Sequence, residues 1–163
     1  MIPSKEEWMK ALNDRHGIGF REKISSTVVA VCGLGGLGSN IAISLARAGI
    51  GKLILIDFDK VDITNLHRQQ YKANQIGMCK TEALQNNLKE INPYLETKIH
   101  TICLDESNAK DVLADADIIC EAFDNAEAKA NIVNFVLSEM PDKYIVAASG
   151  MAGLDSANLI KTR

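Results

Sequence analysis

The chain lacks a C-x-x-C pair, histidines at metal-ligand spacing, a long apolar run and any strong excess of one charge. Each absence removes a class of protein. The four cysteines, Cys32, Cys79, Cys103 and Cys120, fall at unrelated spacings, so neither a zinc cluster nor a disulfide framework is expected, and a reducing cytoplasm is the natural compartment. Cys32 and Cys120 end apolar runs, where cysteine acts as a small buried hydrophobe. His16, His67 and His100 are scattered, with no pair spaced to share a metal. A net charge of −3 gives no sign of a nucleic-acid or membrane-surface partner. No apolar run reaches about 18 residues, the length of a membrane span. The opening Met-Ile-Pro-Ser-Lys-Glu-Glu lacks the basic-then-apolar order of a signal peptide. Repeats and low-complexity tracts are absent too.

What remains is a chain of 163 residues, 47% hydrophobic, enough for about one domain with a full core. Ser4 with Glu7 forms a capping-box pattern that starts a helix over 4–15, with Trp8, Met9 and Leu12 as its apolar stripe and Gly17 and Gly19 breaking it. Apolar strands are expected over 27–32, 52–57, 97–103, 117–121 and 144–148, with a further strand beginning at 158–161. Between them fall helices over 36–48, with Ile41, Leu45 and Ala48 on one face, 77–91, with Leu84 and Leu88 inward, 107–114 and 125–139. This alternation predicts an α/β fold with a doubly wound, mostly parallel, Rossmann-like sheet, leaving room for an antiparallel edge strand at the C-terminal end. The chain stops inside the last of these strands, so the domain is expected to be truncated there.

The first strand runs straight into Gly33-Leu34-Gly35-Gly36-Leu37-Gly38 and then into a helix. Gly33, Gly35, Gly36 and Gly38 allow a ligand to approach the backbone, and the helix N-terminus offers free N–H groups and a partial positive charge, so the turn reads as a phosphate cradle. The pattern alone does not choose a nucleotide. Asp57 ends the second strand 19 residues after Gly38, where an acid can accept hydrogen bonds from ribose hydroxyls or merely cap a turn. The polar stretch from Phe58 to Gln75 is long for a compact α/β unit, and loops of that size usually carry function. The 149–153 turn and Asp124 also fall at strand ends, where such sheets bind ligands.

The loop reads Asp57-Phe58-Asp59-Lys60-Val61-Asp62-Ile63-Thr64-Asn65-Leu66-His67-Arg68-Gln69-Gln70, followed by Gly77-Met78-Cys79-Lys80 and later by Glu121-Ala122-Phe123-Asp124-Asn125. These motifs resemble the ThiF/MoeB family, the bacterial relatives of ubiquitin-activating enzymes, over residues 20 to 161. The spacing and Ala147-Ala148-Ser149-Gly150-Met151-Ala152-Gly153 look most like its short ThiF subgroup. The resemblance implies ATP-dependent adenylation of the C-terminal glycine of a ubiquitin-like sulfur carrier of the ThiS type, in thiamine or related biosynthesis, with Mg²⁺ and without zinc. It implies that Arg68 and Lys80 reach the triphosphate, that Asp124 is the Mg²⁺ carboxylate, and that Asn65 and Asp59 help hold the nucleotide. A homodimer is implied as well, with Arg15, or second Arg21, entering the partner's site. Residues 1–19 would then be an N-terminal helix and dimer arm, and 20–163 the ATP-binding adenylation domain.

Physical chemistry offers a plainer alternative for most of these residues. Asp124 could cap the following helix, Asn65 could form a turn, Asp59 could be a solvated loop acid, and Arg15 could meet its own helix dipole. Lys80 differs, because a cation in the first turn of a helix opposes the macrodipole and so suggests an anion to meet. No covalent nucleophile stands out, and none is needed for an ionised carboxylate attacking phosphorus. A nicotinamide oxidoreductase explains the glycine turn and Asp57 equally well, but not Arg68 and Lys80. A non-catalytic carrier-binding module and a relative acting on modified tRNA also stay open.

Overall fold

The computed structural model describes residues 2–148. The expected turn at 149–153, the strand at 158–161 and the antiparallel edge strand lie outside them. Five strands form one sheet: β1 (Val28–Cys32), β2 (Lys52–Ile56), β3 (Glu96–His100), β4 (Ile118–Glu121) and β5 (Tyr144–Ala147). Their order is β3-β2-β1-β4-β5 and every pairing is parallel. Six helices accompany them: α1 (Lys5–His16), α2 (Ile18–Ser26), α3 (Gly36–Ala48), α4 (Lys80–Ile91), α5 (Ala109–Val112) and α6 (Ala126–Glu139). Two single-turn 3₁₀ helices, Ile63–Asn65 and Ala73–Gln75, lie in the long loop after β2.

The apolar runs become central strands because side chains on both faces are covered. Val29 and Val31 of β1 join Leu53 and Leu55 of β2 in one core, under Ala42 and Ala46 of α3 and Leu84 and Leu88 of α4. Ala30 and Cys32, with Ile54 and Ile56, enter the other core, under Leu113 and under Ile132 and Val136 of α6. This strict alternation is the period-two rule of a strand. Leu84 and Leu88 are fully buried as expected, each contributing about 1.5–3 kcal/mol of burial. For α3 the inward face differs from expectation. It is built on small residues, Ala42 and Ala46, while Ile41 and Leu45 pack at its edges.

At the N-terminus the Ser4 side chain accepts from the Glu7 amide at 3.2 Å and the Glu7 carboxylate accepts from the Ser4 amide at 2.8 Å. The capping box is therefore complete. Gly17 ends α1 with φ of +81°, but it does not end helical structure. The chain re-enters α2 at once, an element absent from the sequence reading. The α2 helix buries no residue of its own and is held by docking. The Gly51 amide donates to the Ile24 carbonyl at 3.1 Å, and a Cβ on Gly51 would lie 1.9 Å from the Ser25 oxygen. Leu12 of α1 sits against Gly49 at the C-terminal end of α3, and Trp8 packs on Tyr94 with ring centroids 6.5 Å apart. The α1–α2 pair thus covers the end of the sheet where strands begin. Among the described residues no helix is long and apolar enough to cross a membrane.

Candidate active site

Strand order reverses between β1 and β4, because the chain leaves β1 toward β2 and β3 and returns across it to β4. Crevices open at such a switch point, outside the carboxyl ends of the strands. Here a cleft of about 360 Å³ lies between the glycine turn after β1 and the turn after β4.

The glycine turn is clamped from several directions. The Gly33 amide donates to the Ile56 carbonyl at 2.8 Å. Its φ is +90°, and a Cβ there would lie 3.0 Å from both the Ala122 oxygen and Phe123 Cδ1, so conformation and space both require glycine. The Leu34 amide donates to Asp57 Oδ2 at 2.6 Å, and the Leu34 carbonyl accepts the Tyr71 hydroxyl at 2.7 Å. Burial, followed by the negative charges of Asp57 and Asp59, pushes the Tyr71 ionisation upward. The hydroxyl therefore stays a donor. Above Gly35 the space is open, the nearest atom to a Cβ there being Gln69 Nε2 at 3.9 Å. Gly35 is also the N-cap of α3 and supplies no side-chain bond, which leaves first-turn N–H groups available to an anion.

Asp57 is buried. One carboxylate oxygen holds the Leu34 amide and the other accepts the Asp59 amide at 2.8 Å. Each oxygen keeps a second lone pair on the cleft wall. Lys80, the first residue of α4, is 5% exposed, and its Nζ lies 2.7 Å from Asp59 Oδ2. The anion that its position demanded is Asp59. The two are also joined through the backbone, where the Lys80 amide donates to the Asp59 carbonyl at 2.9 Å. Arg68 is exposed and lays its aliphatic stem across Gly36, with Nη1 donating to the Thr64 carbonyl at 3.2 Å.

The long loop that carries Arg68 is pinned rather than loose. Its Gln70 amide donates to Ser39 Oγ at 3.1 Å, Gln70 Nε2 donates to Asn40 Oδ1 at 2.6 Å, and Asn87 Nδ2 donates to the Gln70 carbonyl at 2.7 Å. Side chains of α3 and α4 thus fix the Gln70 end of the motif.

Across the cleft, Asp124 is exposed on the turn after β4. It does not cap α6. Asn125 does, accepting the Ala128 amide at 2.8 Å. Asp124 has no hydrogen-bond or ion-pair partner among the described residues. That free carboxylate suits magnesium, which takes one or two protein carboxylates and completes its shell with phosphate and water. Among the described residues no group of three or more potential ligands comes together, so a cation bound by protein alone does not fit.

The cleft brings together Gly33, Gly35, Gly36, Asp57, Asp59, Arg68, Lys80 and Asp124. Three expected contributors are elsewhere. Gly38 packs against the strand, since a Cβ on it would lie 1.8 Å from the Gly33 oxygen. Its lack of a side chain serves helix–turn packing, not a ligand. Asn65 does not line the cleft, and its Oδ1 accepts the Asp62 amide at 3.0 Å within its own turn. Arg15 lies in the last turn of α1, whose Leu12 meets the far end of the 13-residue α3, about 20 Å from the cleft.

The sequence reading missed four polar residues of the site. Gln69 is 7% exposed, lines the cleft, and has an unpartnered Oε1. It directly follows Arg68 in the motif, which was signal enough to include it. Glu121 opens the motif that ends in Asp124-Asn125 and could have been found the same way, whereas Tyr71 and Lys129 carried no comparable pattern. Glu121 is 1% exposed. It accepts the Phe123 amide at 2.7 Å and the Lys129 ammonium on its other oxygen. Phe58, Ile102, Leu104 and Ala128 supply an apolar part of the cleft lining.

Sequence comparison matches the ThiF family over residues 10–157. Among curated proteins, the adenylyltransferase and sulfurtransferase MOCS3 of Caenorhabditis briggsae is 37% identical, over 72% of this chain and 30% of that protein. Ubiquitin-like modifier-activating enzyme 5 of Xenopus laevis is 46% identical over 48% of this chain and 20% of that protein. The chain therefore spans less than a third of these relatives. Among solved structures, E. coli tRNA N6-threonylcarbamoyladenosine dehydratase, TcdA, in complex with ATP superposes with a TM-score of 0.85, covering 97% of this chain and 66% of that one at 23% identity. E. coli MccB with ATP gives 0.67, covering 79% and 39% at 27% identity.

Proposed function

The chain belongs to the ThiF family, and on that premise we propose that its cleft binds ATP and adenylates the C-terminal carboxylate of a small ubiquitin-like sulfur carrier ending in Gly-Gly. The observation that carries this reading is the meeting of Arg68 and Lys80 with an uncapped helix N-terminus on one wall, facing an unpartnered Asp124 on the other. A nicotinamide oxidoreductase leaves that pair of cations and the long motif loop unexplained. MOCS3 and ubiquitin-like modifier-activating enzyme 5 are adenylating or activating enzymes by name, which supports the same chemistry here.

The base fits the apolar part of the lining beside Ile102 and Leu104, and the ribose hydroxyls fall to the free lone pairs of Asp57. The phosphates then lie over Gly35 and the α3 N-terminus. The carrier carboxylate attacks the α-phosphorus, an acyl–phosphate bond forms, and the bond to pyrophosphate breaks. The attacking group is already ionised at neutral pH, so no base is required. The work is positioning and charge neutralisation. Arg68 meets phosphate oxygens through its planar fork and Lys80 as a point charge, after Lys80 exchanges Asp59 for phosphate. Asp124 would hold Mg²⁺, which when bound neutralises phosphate charge opposite the two cations. Arg15, remote from its own cleft, can serve only another protomer's site, which is the arrangement a homodimer provides.

Carrier-dependent exchange of pyrophosphate into ATP tests the reading. Exchange should appear only with a carrier ending in Gly-Gly, and R68A/K80A should lose it by about 10²–10³-fold or more. Exchange that survives the double substitution contradicts the mechanism. Carrier binding without exchange in the unaltered chain would leave a non-catalytic module.

A further inference from the structure

The wall of the cleft that bears Asp124 contains a buried charge with no place in the chemistry above. Glu121 ends β4 with its side chain fully buried and does not line the cleft. One of its oxygens accepts the Phe123 amide at 2.7 Å and the other accepts Lys129 Nζ. Three pieces of chain meet on this carboxylate: the end of β4, the turn at Phe123 and the first turn of α6. Asp124 stands between them, flanked by Phe123, which Glu121 holds, and by Asn125, which is fixed by capping Ala128. The Phe123 ring in turn fills the space beside Gly33, so the same carboxylate shapes the glycine turn.

A carboxylate is an expensive way to accept one amide bond. Burying it is unfavourable without a paired cation, and a bare negative charge behind a polyanion site would repel the ligand. Lys129 removes both problems, with its stem along the cleft wall and its ammonium on Glu121. Fold stability does not call for such a pair, since apolar residues of similar size usually serve as well or better. Geometry does call for it. The pair grips the turn at two oxygens, where a neutral acceptor would hold it at one.

We infer that Glu121 and Lys129 are positioning residues, a buried brace that sets Asp124 opposite Arg68 and Lys80. The inference rests on the adenylation reading for what Asp124 does, but not for how it is held. Removing only Lys129 strands a buried charge and can unfold the chain, so E121L/K129M carries the test. This variant should stay folded, because removing both charges offsets the loss of the Phe123 amide's acceptor. Its Phe123 amide should exchange hydrogen at least tenfold faster, and the Mg²⁺ concentration that half-saturates ATP binding should rise at least tenfold. K129R, which keeps the pair, should restore unaltered behaviour in both readouts. A folded E121L/K129M with unchanged Phe123 exchange and unchanged Mg²⁺ dependence overturns the inference, as does K129R behaving like the double variant. Both readouts need no carrier. An unaltered chain that binds ATP yet supports no exchange therefore sinks the adenylation reading alone, and one that binds no ATP leaves the Phe123 amide to decide the brace.

Discussion

The two walls of the cleft are built by different means. On the wall of β1 and β2, the glycine turn is held by uncharged donors and by a carboxylate that binds only backbone: Tyr71 on the Leu34 carbonyl, Asp57 on the Leu34 and Asp59 amides. Its one ion pair, Lys80 with Asp59, has an acid half-exposed to solvent and therefore free to be exchanged. On the wall of β4, the ion pair is sealed, with Glu121 at 0% side-chain exposure, and Asp124 is the group left free. The first wall keeps its cations in reserve against a ligand. The second spends a cation internally to present an acid. Both arrangements suit the proposed ligand, a polyanion carrying a metal.

On the first wall, space is the controlling term. G38A puts a methyl 1.8 Å from the Gly33 oxygen, and overpacking against backbone should cost about 3 kcal/mol or more, read as a fall in the urea midpoint. A cost below about 1 kcal/mol would mean that α3 does not ride on the turn as described. Next, Y71F leaves the Leu34 carbonyl without its partner and should cost about 1–3 kcal/mol, with ATP affinity falling alongside. On the second wall the helix cap is the comparable device. N125A should cost about 1 kcal/mol, while D124A, which removes no contact among the described residues, should leave the midpoint in place. Equal losses for the two would mean that Asp124 is structural after all.

The smallest effect lies away from both walls. A backbone hydrogen bond from Ser4, reinforced by the Ser4 side chain, holds the Glu7 carboxyl below its usual value of 4.5. A depressed carboxyl contributes stability above its unfolded value and loses it as pH falls through the folded one. The Ser4 amide should therefore lose protection against hydrogen exchange as the solution is taken below pH 4.5. Protection unchanged through that range would contradict the capping box as a source of helix stability.

Much of this architecture was legible in the residues. The runs Val28–Cys32 and Lys52–Ile56 are apolar on both faces because both faces are covered, and the glycine turn, Asp57, Arg68, Lys80 and Asp124 sit where strand ends must place them. What was hidden is tertiary in origin. The α2 helix follows a glycine that elsewhere would end helical structure, and its stability comes from backbone docking at Gly51. Gly38 matched a ligand-binding pattern but answers to the Gly33 carbonyl. Glu121 stood in the motif that runs to Asn125, but only the return of α6 shows Lys129 meeting it. Asn65 belonged to the motif, yet its Oδ1 accepts an amide of its own turn, a partner the motif does not reveal. A motif names the residues, and the partner each one finds decides its role.

The central claim is that Arg68 and Lys80 receive the phosphates of a nucleotide. The most direct test is calorimetric titration of ATP with Mg²⁺, and separately of adenosine, into the unaltered chain and R68A/K80A. Two charge-assisted hydrogen bonds are worth about 1.5–3 kcal/mol each, so the double variant should lose ATP affinity by about 100-fold or more while adenosine binding changes less than about threefold. ATP binding with equal affinity to both proteins would contradict the claim.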